Sequence, residues 1–295
     1  MSAVSTPMDV APAVPAPKRA GGRNRRTITR RGFTFSVIAY AIAALFLLPY
    51  AEMIVAALRP ANQLLAPNLL PSHFSFHNFT SIWSTGFGGN LVESLEIAGG
   101  ATVLVLLVAV PAAYYSARHR FRGRSLFLLL VLATQMLQPA AMLVGIQREF
   151  TSFNLPPTLS LILVNAGFNM AFAVWILNAY FSSIPVELEE AAMIDGSSRL
   201  GALARVTMPL AAPGIVTALI FTFIAAWNEF IVALTLSLGS SHQPLTVAID
   251  SYIGQYSVDW GHLFAGSVIA TIPVIILFAV IEGRVVSGLT AGSIK

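Results

Sequence analysis

The chain has 295 residues, of which 56% are hydrophobic and 10% charged, with a formal net charge of +4. An ordinary soluble domain carries roughly 25% charged residues, so water is not the main solvent of this protein. Cysteine is absent, which excludes disulfides, thiolate metal sites and cysteine nucleophiles.

At the amino terminus, Lys18, Arg19, Arg23, Arg25, Arg26, Arg30 and Arg31 are interspersed with Pro and Ala. Residues 1–32 lack the apolar content needed to offset ordering entropy and read as a flexible basic tail. Such a tail can bind nucleic acid, but beside a long apolar run it fixes membrane orientation, so the expected contact is membrane lipid and not nucleic acid. Phe33 to Leu58 exceeds a signal-peptide core of about 7–15 residues and reads as an uncleaved first span. His73 and His77 are four apart, a spacing that pairs imidazoles on a helix. Pro71, Ser72 and the alternating Phe74 and Phe76 argue instead for an extended loop, and no metal site is expected there.

Five further spans are expected at Leu91–Ala117, Ser125–Gly145, Thr158–Phe181, Pro213–Leu238 and Leu263–Ile281, each near the roughly 20 residues that cross hydrocarbon. Residues 33–295 are therefore expected to form an all-α, polytopic membrane domain of six transmembrane helices, with kinks at Pro111, Pro139 and Pro273. Glu93 and Glu96 fall at the entrance of the second span and read as headgroup-region carboxylates. With the amino terminus inside, only Arg59 and Arg148 of the 17 basic residues lie outside, which places both termini in the cytoplasm.

Between spans four and five, at about 183–212, lies a loop that gathers Glu187, Glu189, Glu190 and Asp195. Pro185 suits the first turn of a helix whose amino-terminal dipole favours those glutamates, and Gly196 suits its end at positive φ. That helix is expected to run about eleven residues, or about 16 Å. A second short helix over Ser198–Val206 should stop at Pro209, before the chain re-enters the membrane near Pro213. An acidic cytoplasmic helix suits a soluble partner, although a solvated linker is the plainer reading of carboxylates alone.

Chemistry of the chain's own is not apparent. Its two lysines, Lys18 and Lys295, lie in no phosphate-binding loop, and neither a G-x-S-x-G elbow nor an H-E-x-x-H pair occurs, so neither enzyme activity nor a cofactor is expected and any ATP must be bound by another subunit.

The loop resembles that of the membrane-spanning subunits of bacterial ATP-binding-cassette importers, whose signature reads E-A-A, three residues, G, nine residues, I-x-L-P. Glu190, Ala191, Ala192, Gly196 and Pro209 match at those spacings, with Val206 and Met208 in place of the isoleucine and leucine. Ile184 to Leu188, Ile194 to Gly196, Trp227-Asn228-Glu229-Phe230 and the ending Gly288 to Lys295 are similar to the carbohydrate branch, in particular the smaller permease of maltose-type systems. The segment Thr151–Pro157 and Ser293 depart from that branch. The resemblance implies a bacterial inner-membrane sugar importer built from a second permease subunit, two cytoplasmic ATP-binding subunits and an extracytoplasmic sugar-binding protein, working by alternating access. It also implies that Glu190 makes polar contact with the ATPase, that Ala191 and Ala192 pack closely against it, and that Asp195, Gly196 and Pro209 belong to the same coupling element.

Gln135, Gln138, Asn165, Asn169, Trp175, Asn228 and Glu229 lie in or near the expected spans. Amides and aromatic faces suit a sugar path, and interhelical hydrogen bonding or a bond from Glu229 to freed backbone is the competing reading. The rivals at the level of function are the same transporter class carrying a polyamine, an ion or glycerol phosphate, and an ion-coupled transporter or membrane enzyme without an ATPase. Co-purification of an ATPase separates these classes.

Overall fold

The computed structural model describes residues 30–63, 68, 70–119, 121–137 and 139–291. Most of the basic tail, and Gln138 among the expected path residues, lie outside the described residues. The described residues fall into two compact units, divided between Pro49 and Tyr50. The first contributes most of helix α1 (Arg30–Ala57), on which Phe35, Tyr40, Leu45 and Phe46 are all exposed. A helix apolar all round is suited to hydrocarbon and not to water.

In the second unit the order is α2 (His77–Ser81), α3 (Phe87–Arg118), α4 (Arg124–Thr134), α5 (Pro139–Ser152), α6 (Pro157–Ser183), α7 (Glu187–Ile194), α8 (Arg199–Ala202), α9 (Met208–Trp227), α10 (Ile231–Leu236), α11 (Leu245–Asp250) and α12 (Trp260–Ala291). The core is the packing of α3, α6 and α9. Its buried positions are mostly small on α3 and α9, with Ala98, Ala101, Ala109 and Ala113 on one and Ala211, Ala218 and Ala226 on the other, while α6 supplies Val174, Leu177 and Phe181. Lipid tails are as apolar as leucine, so helices in a membrane gain from close backbone approach and interhelical hydrogen bonds, not from hiding bulk. Gly214 carries this furthest, because a Cβ there would sit 2.4 Å from Tyr180 Cγ. Asn178 adds a polar fastening, donating from Nδ2 to Ser116 Oγ at 2.7 Å.

Among the described residues, five helices are long and apolar enough to cross a membrane, and a sixth span is present only if α4 and α5 count as one. That expected third span is a pair bent by 89°, with Pro139 opening α5, where its missing N–H is least costly. Pro111 and Pro273, by contrast, sit inside unbroken helices. The fifth span also departs from expectation. It ends at Trp227 and not at Leu238, because Glu229 caps the separate helix α10 by accepting the Val232 and Ala233 N–H groups at 2.8 Å each. At its other end it is continuous from Arg199 to Trp227, and Pro209 does not stop it. A π turn over Leu203–Thr207 precedes α9, and such a wide turn, together with the first-turn position of Pro209, accommodates the missing donor.

Glu93 is likewise not a headgroup carboxylate. It is 7% exposed, accepts a short hydrogen bond from Thr158 and has His242 Nδ1 3.6 Å away, whereas Glu96 is exposed as expected. His73 lies in a loop and His77 opens α2, so the two imidazoles do not share a helical face. The start of α12 is tied to α2, since Asp259 accepts from the His262 N–H at 3.2 Å and pairs with its Nδ1 at 2.5 Å, while His262 Nε2 is 2.9 Å from Ser81 Oγ. Burial alone would raise the Asp259 pKa, but the His262 hydrogen bonds outweigh it and hold the carboxyl below its ordinary range.

Candidate functional site

The loop between α6 and α9 folds into two short helices. Helix α7 is eight residues long, shorter than expected, and Pro185 precedes it. The reason lies in the carbonyl of Ile184, which accepts from Arg118 Nη1 at 2.8 Å and does not join the first turn. Val186 O instead takes the Glu189 and Glu190 N–H groups. At the other end Gly196 adopts φ +90°. Its N–H donates to Met193 O at 3.1 Å and that of Ser197 to Ala192 O at 3.0 Å, the paired bonds of a Schellman motif. Ser198 then caps α8 by accepting the Gly201 N–H at 3.1 Å.

The polarity of α7 is inverted. Its inward residue is Glu189, 6% exposed, while Leu188, Met193 and Ile194 face outward, Ile194 at 86%. Glu189 accepts from Tyr114 Oη at 2.8 Å, Arg118 Nε at 2.8 Å and Thr207 Oγ1 at 2.7 Å. Burial by itself would raise its pKa, but those hydrogen bonds and the Arg118 charge outweigh it, so the carboxyl is held below its ordinary range. One carboxylate thereby ties α7 to the end of α3 and to the π turn that begins α9.

Glu190 and Ala191 are exposed on the same helix and Asp195 just beyond it, Ala192 is half-buried, and Pro209 is exposed. Leu200 of α8 is also outward, at 78%. The outward surface therefore combines apolar side chains with free carboxylates, and the helix that presents it is braced from behind. Exposed apolar groups in a polar rim mark interaction surfaces. Sequence reading missed Tyr114, Arg118 and Thr207, and it gave Glu189 no role beyond the helix dipole. The signal available was the position of Arg118 at the end of the second span, but nothing local in sequence pairs it with a residue 71 positions away.

The structure does not gather the expected path residues around one cavity. Asn165 and Asn169 donate to Leu161 O and Asn165 O of their own helix at 2.9 and 2.8 Å. Gln135 donates to Phe168 O at 3.1 Å, joining α4 to α6. Trp175 is 45% exposed. Asn165 and Glu229 share the wall of a small void, whereas Asn228 opens on a separate cavity of about 540 Å³.

A bundle of helices long and apolar enough to cross a membrane, with a braced surface loop, defines a polytopic membrane protein. Residues 109–289 match the family described as binding-protein-dependent transport system inner membrane component, and the chain belongs to that family. It is 33% identical over 272 residues to the trehalose transport system permease protein SugB of Mycobacterium tuberculosis (strain CDC 1551 / Oshkosh), covering 90% of this chain and 98% of that one. It is also 33% identical over 263 residues to the trehalose/maltose transport system permease protein MalG of Thermococcus litoralis, covering 87% and 94%. The fold matches a chain of a bacterial ABC transporter involved in the import of the acidic polysaccharide alginate, with a TM-score of 0.73, 22% identity, and coverage of 86% and 98%.

Proposed function

We propose that this chain is one permease subunit of an ATP-driven, binding-protein-dependent sugar importer, and that α7 with its Gly196 turn seats in a separate cytoplasmic ATPase subunit. The observation that carries this reading is the inverted polarity of α7. A helix that buries its glutamate and exposes Leu188 and Ile194 gains nothing from water, but it suits a partner cleft in which those side chains are covered.

In this reading Glu190 makes polar contact with the ATPase, Ala191 and Ala192 allow close approach, and Gly196 fixes the turn, with Asp195 and Pro209 flanking it. Residues 33–295 form the permease domain, paired with a second permease subunit and fed by an extracytoplasmic sugar-binding protein. The distribution of basic residues supports cytoplasmic termini and a cytoplasmic coupling loop. A sugar cargo is supported by the trehalose and maltose relatives. Closure of the two ATPase subunits around ATP moves α7, and through Glu189 the ends of α3 and α9, between inward-open and outward-open states.

The test is reconstitution of the complex that co-purifies with the chain. The chain has no cysteine, so Ala191→Cys gives a single crosslinking point. The expected results are a nucleotide-sensitive crosslink to an ATPase subunit and ATP-dependent uptake of trehalose or maltose when binding protein is present. A crosslink pattern confined to lipid, or uptake driven by an ion gradient without ATP, overturns the reading.

A further inference from the structure

The cavity that Asn228 enters is walled by the end of α9, by α11 and by the amino-terminal half of α12. Its lining is largely apolar and includes Tyr50, Trp227 and Phe230, but it also holds Asn228 and Asp250. Among the described residues neither of these two side chains makes a hydrogen bond or ion pair. Other polar groups in the wall are committed, Thr246 Oγ1 to Glu229 O at 2.9 Å and Thr271 Oγ1 to Ser267 O at 2.9 Å. A second large cavity, beside Glu93, differs in this respect, because its Asn90, Glu93 and Tyr252 are bonded to Gln243, Thr158 and Thr85.

Uncommitted polar groups in a mostly apolar cavity are the ones free to fix a ligand's orientation. A space of about 540 Å³ is within the range of small-molecule sites, which are mostly apolar with a few polar groups that fix orientation. Asn228 can donate and accept, and Asp250 can accept from two hydroxyls. Tyr50 and Phe230 supply ring surface for the apolar face of a pyranose. No Lys, Arg or His lines the cavity, so nothing there balances the Asp250 carboxylate, and a second carboxylate brought beside it in a low-dielectric space is repelled.

Building on the importer reading above, we propose that this cavity is a transit subsite for an uncharged sugar, with Asn228 and Asp250 as its polar contacts, and that Asp250 excludes acidic sugars. The inference separates this chain from a permease that passes uronates, a distinction that the shared fold does not make.

Because the chain has no cysteine, Asn228→Cys places one thiol of this subunit in the cavity of the assembled transporter. Its rate of reaction is compared for a cationic (trimethylammonium) and an anionic (sulfonate) methanethiosulfonate, each normalised to a free thiol. The expected preference for the cationic reagent is roughly tenfold, the scale of focusing in a charged cleft, and it falls to near unity with Asp250→Asn added. Equal rates, or a preference that survives Asp250→Asn, overturn the charge assignment. During turnover with binding protein, trehalose or maltose is expected to slow labelling several-fold, and a uronate oligosaccharide to have no effect. If the Asn228→Cys transporter imports the neutral sugar yet its Cys labelling is unprotected, the subsite is wrong while the importer reading stands. If the transporter without the substitution imports no sugar, the importer reading and the sugar subsite fall together, and the charge ratio, read without cargo, still decides the role of Asp250.

Discussion

Arg118 and Glu189 meet as a buried ion pair at 2.6 Å, with side chains 7% and 8% exposed, although the two residues belong to different helices of the bundle. Arg118 ends α3 and Glu189 lies on α7, so the pair makes the coupling loop and the second span one mechanical piece. Removing one partner of a buried pair strands the other charge, at a cost of about 3–5 kcal/mol. Arg118→Ala is therefore expected to lower the melting temperature of the purified transporter clearly. Arg118→Lys keeps the charge but loses the fork that reaches Glu189 and Ile184 O together, and it should retain more stability while still weakening binding-protein stimulation of ATP hydrolysis. Differential scanning fluorimetry and ATPase assays on the same preparations check both expectations. Wild-type stability of Arg118→Ala would show that the pair is not a brace.

The neighbouring glutamate should behave in the opposite way. Glu190 is exposed and its side chain makes no hydrogen bond or ion pair within the described residues, so Glu190→Lys should leave the melting temperature within about 0.5 kcal/mol equivalent of wild type, as surface changes do. Its expected effect is on coupling, with uptake lost and ATP hydrolysis no longer stimulated by loaded binding protein. Gly196→Asp meets no atom within 4 Å but must hold φ +90°, a strain of about 1–2 kcal/mol, and should also uncouple without dissociating the complex. Wild-type coupling in both variants in proteoliposomes would overturn the docking role of α7.

Much of this architecture was legible in the sequence, because apolar runs near 20 residues and a gapped loop motif are strong local signals. The Gly196 turn was readable for the same reason, since positive φ selects glycine. The break between α4 and α5 and the early stop at Trp227 were not, because the polar residues at each break, Gln135 and Gln138 in one and Asn228 and Glu229 in the other, sit inside apolar runs long enough to cross a membrane and read equally well as groups within a span. Glu229 shows why. Its carboxylate caps α10 from within an apolar stretch, a role that spacing alone leaves level with a place on a transport path. Glu189 was hidden by the inverted polarity of α7, since a glutamate in a first turn reads as a solvated group placed by the helix dipole, whereas here it is buried and Leu188 and Ile194 are outward.

The acid limb of stability provides an independent test of Glu189. Its ordinary carboxyl pKa of 4.5 is lowered in the fold, with burial opposing the shift and the bonds from Thr207, Tyr114 and Arg118 prevailing. A depressed carboxyl stabilises the folded state fully above its unfolded pKa, and that contribution is lost as pH falls through the folded pKa. Unfolding followed against pH should thus be flat near neutrality and steepen below 4.5. Glu189→Gln removes the titrating group, and the slope in that acid window should diminish. An unchanged acid slope in Glu189→Gln would place the titration elsewhere.

Close approach of α6 and α9 depends on one missing methyl group. A Cβ on Gly214 would lie 2.4 Å from Tyr180 Cγ and 2.8 Å from its Cβ, and Tyr180 Cβ cannot swing away as the end of a flexible chain could. Gly214→Ala therefore has to push the helices apart, and overpacking of this kind costs about 1–3 kcal/mol. Because α9 leads directly from the π turn that Glu189 holds through Thr207, the displacement should also reach the coupling loop and reduce stimulated ATP hydrolysis. Shortening the obstructing side chain tests the cause. In Tyr180→Gly both the ring and the Cβ are gone, so adding Gly214→Ala to that variant should cost less than adding it to wild type, a non-additivity that a double-mutant cycle on melting temperature measures directly. Additive losses would mean that Tyr180 is not what the new methyl meets.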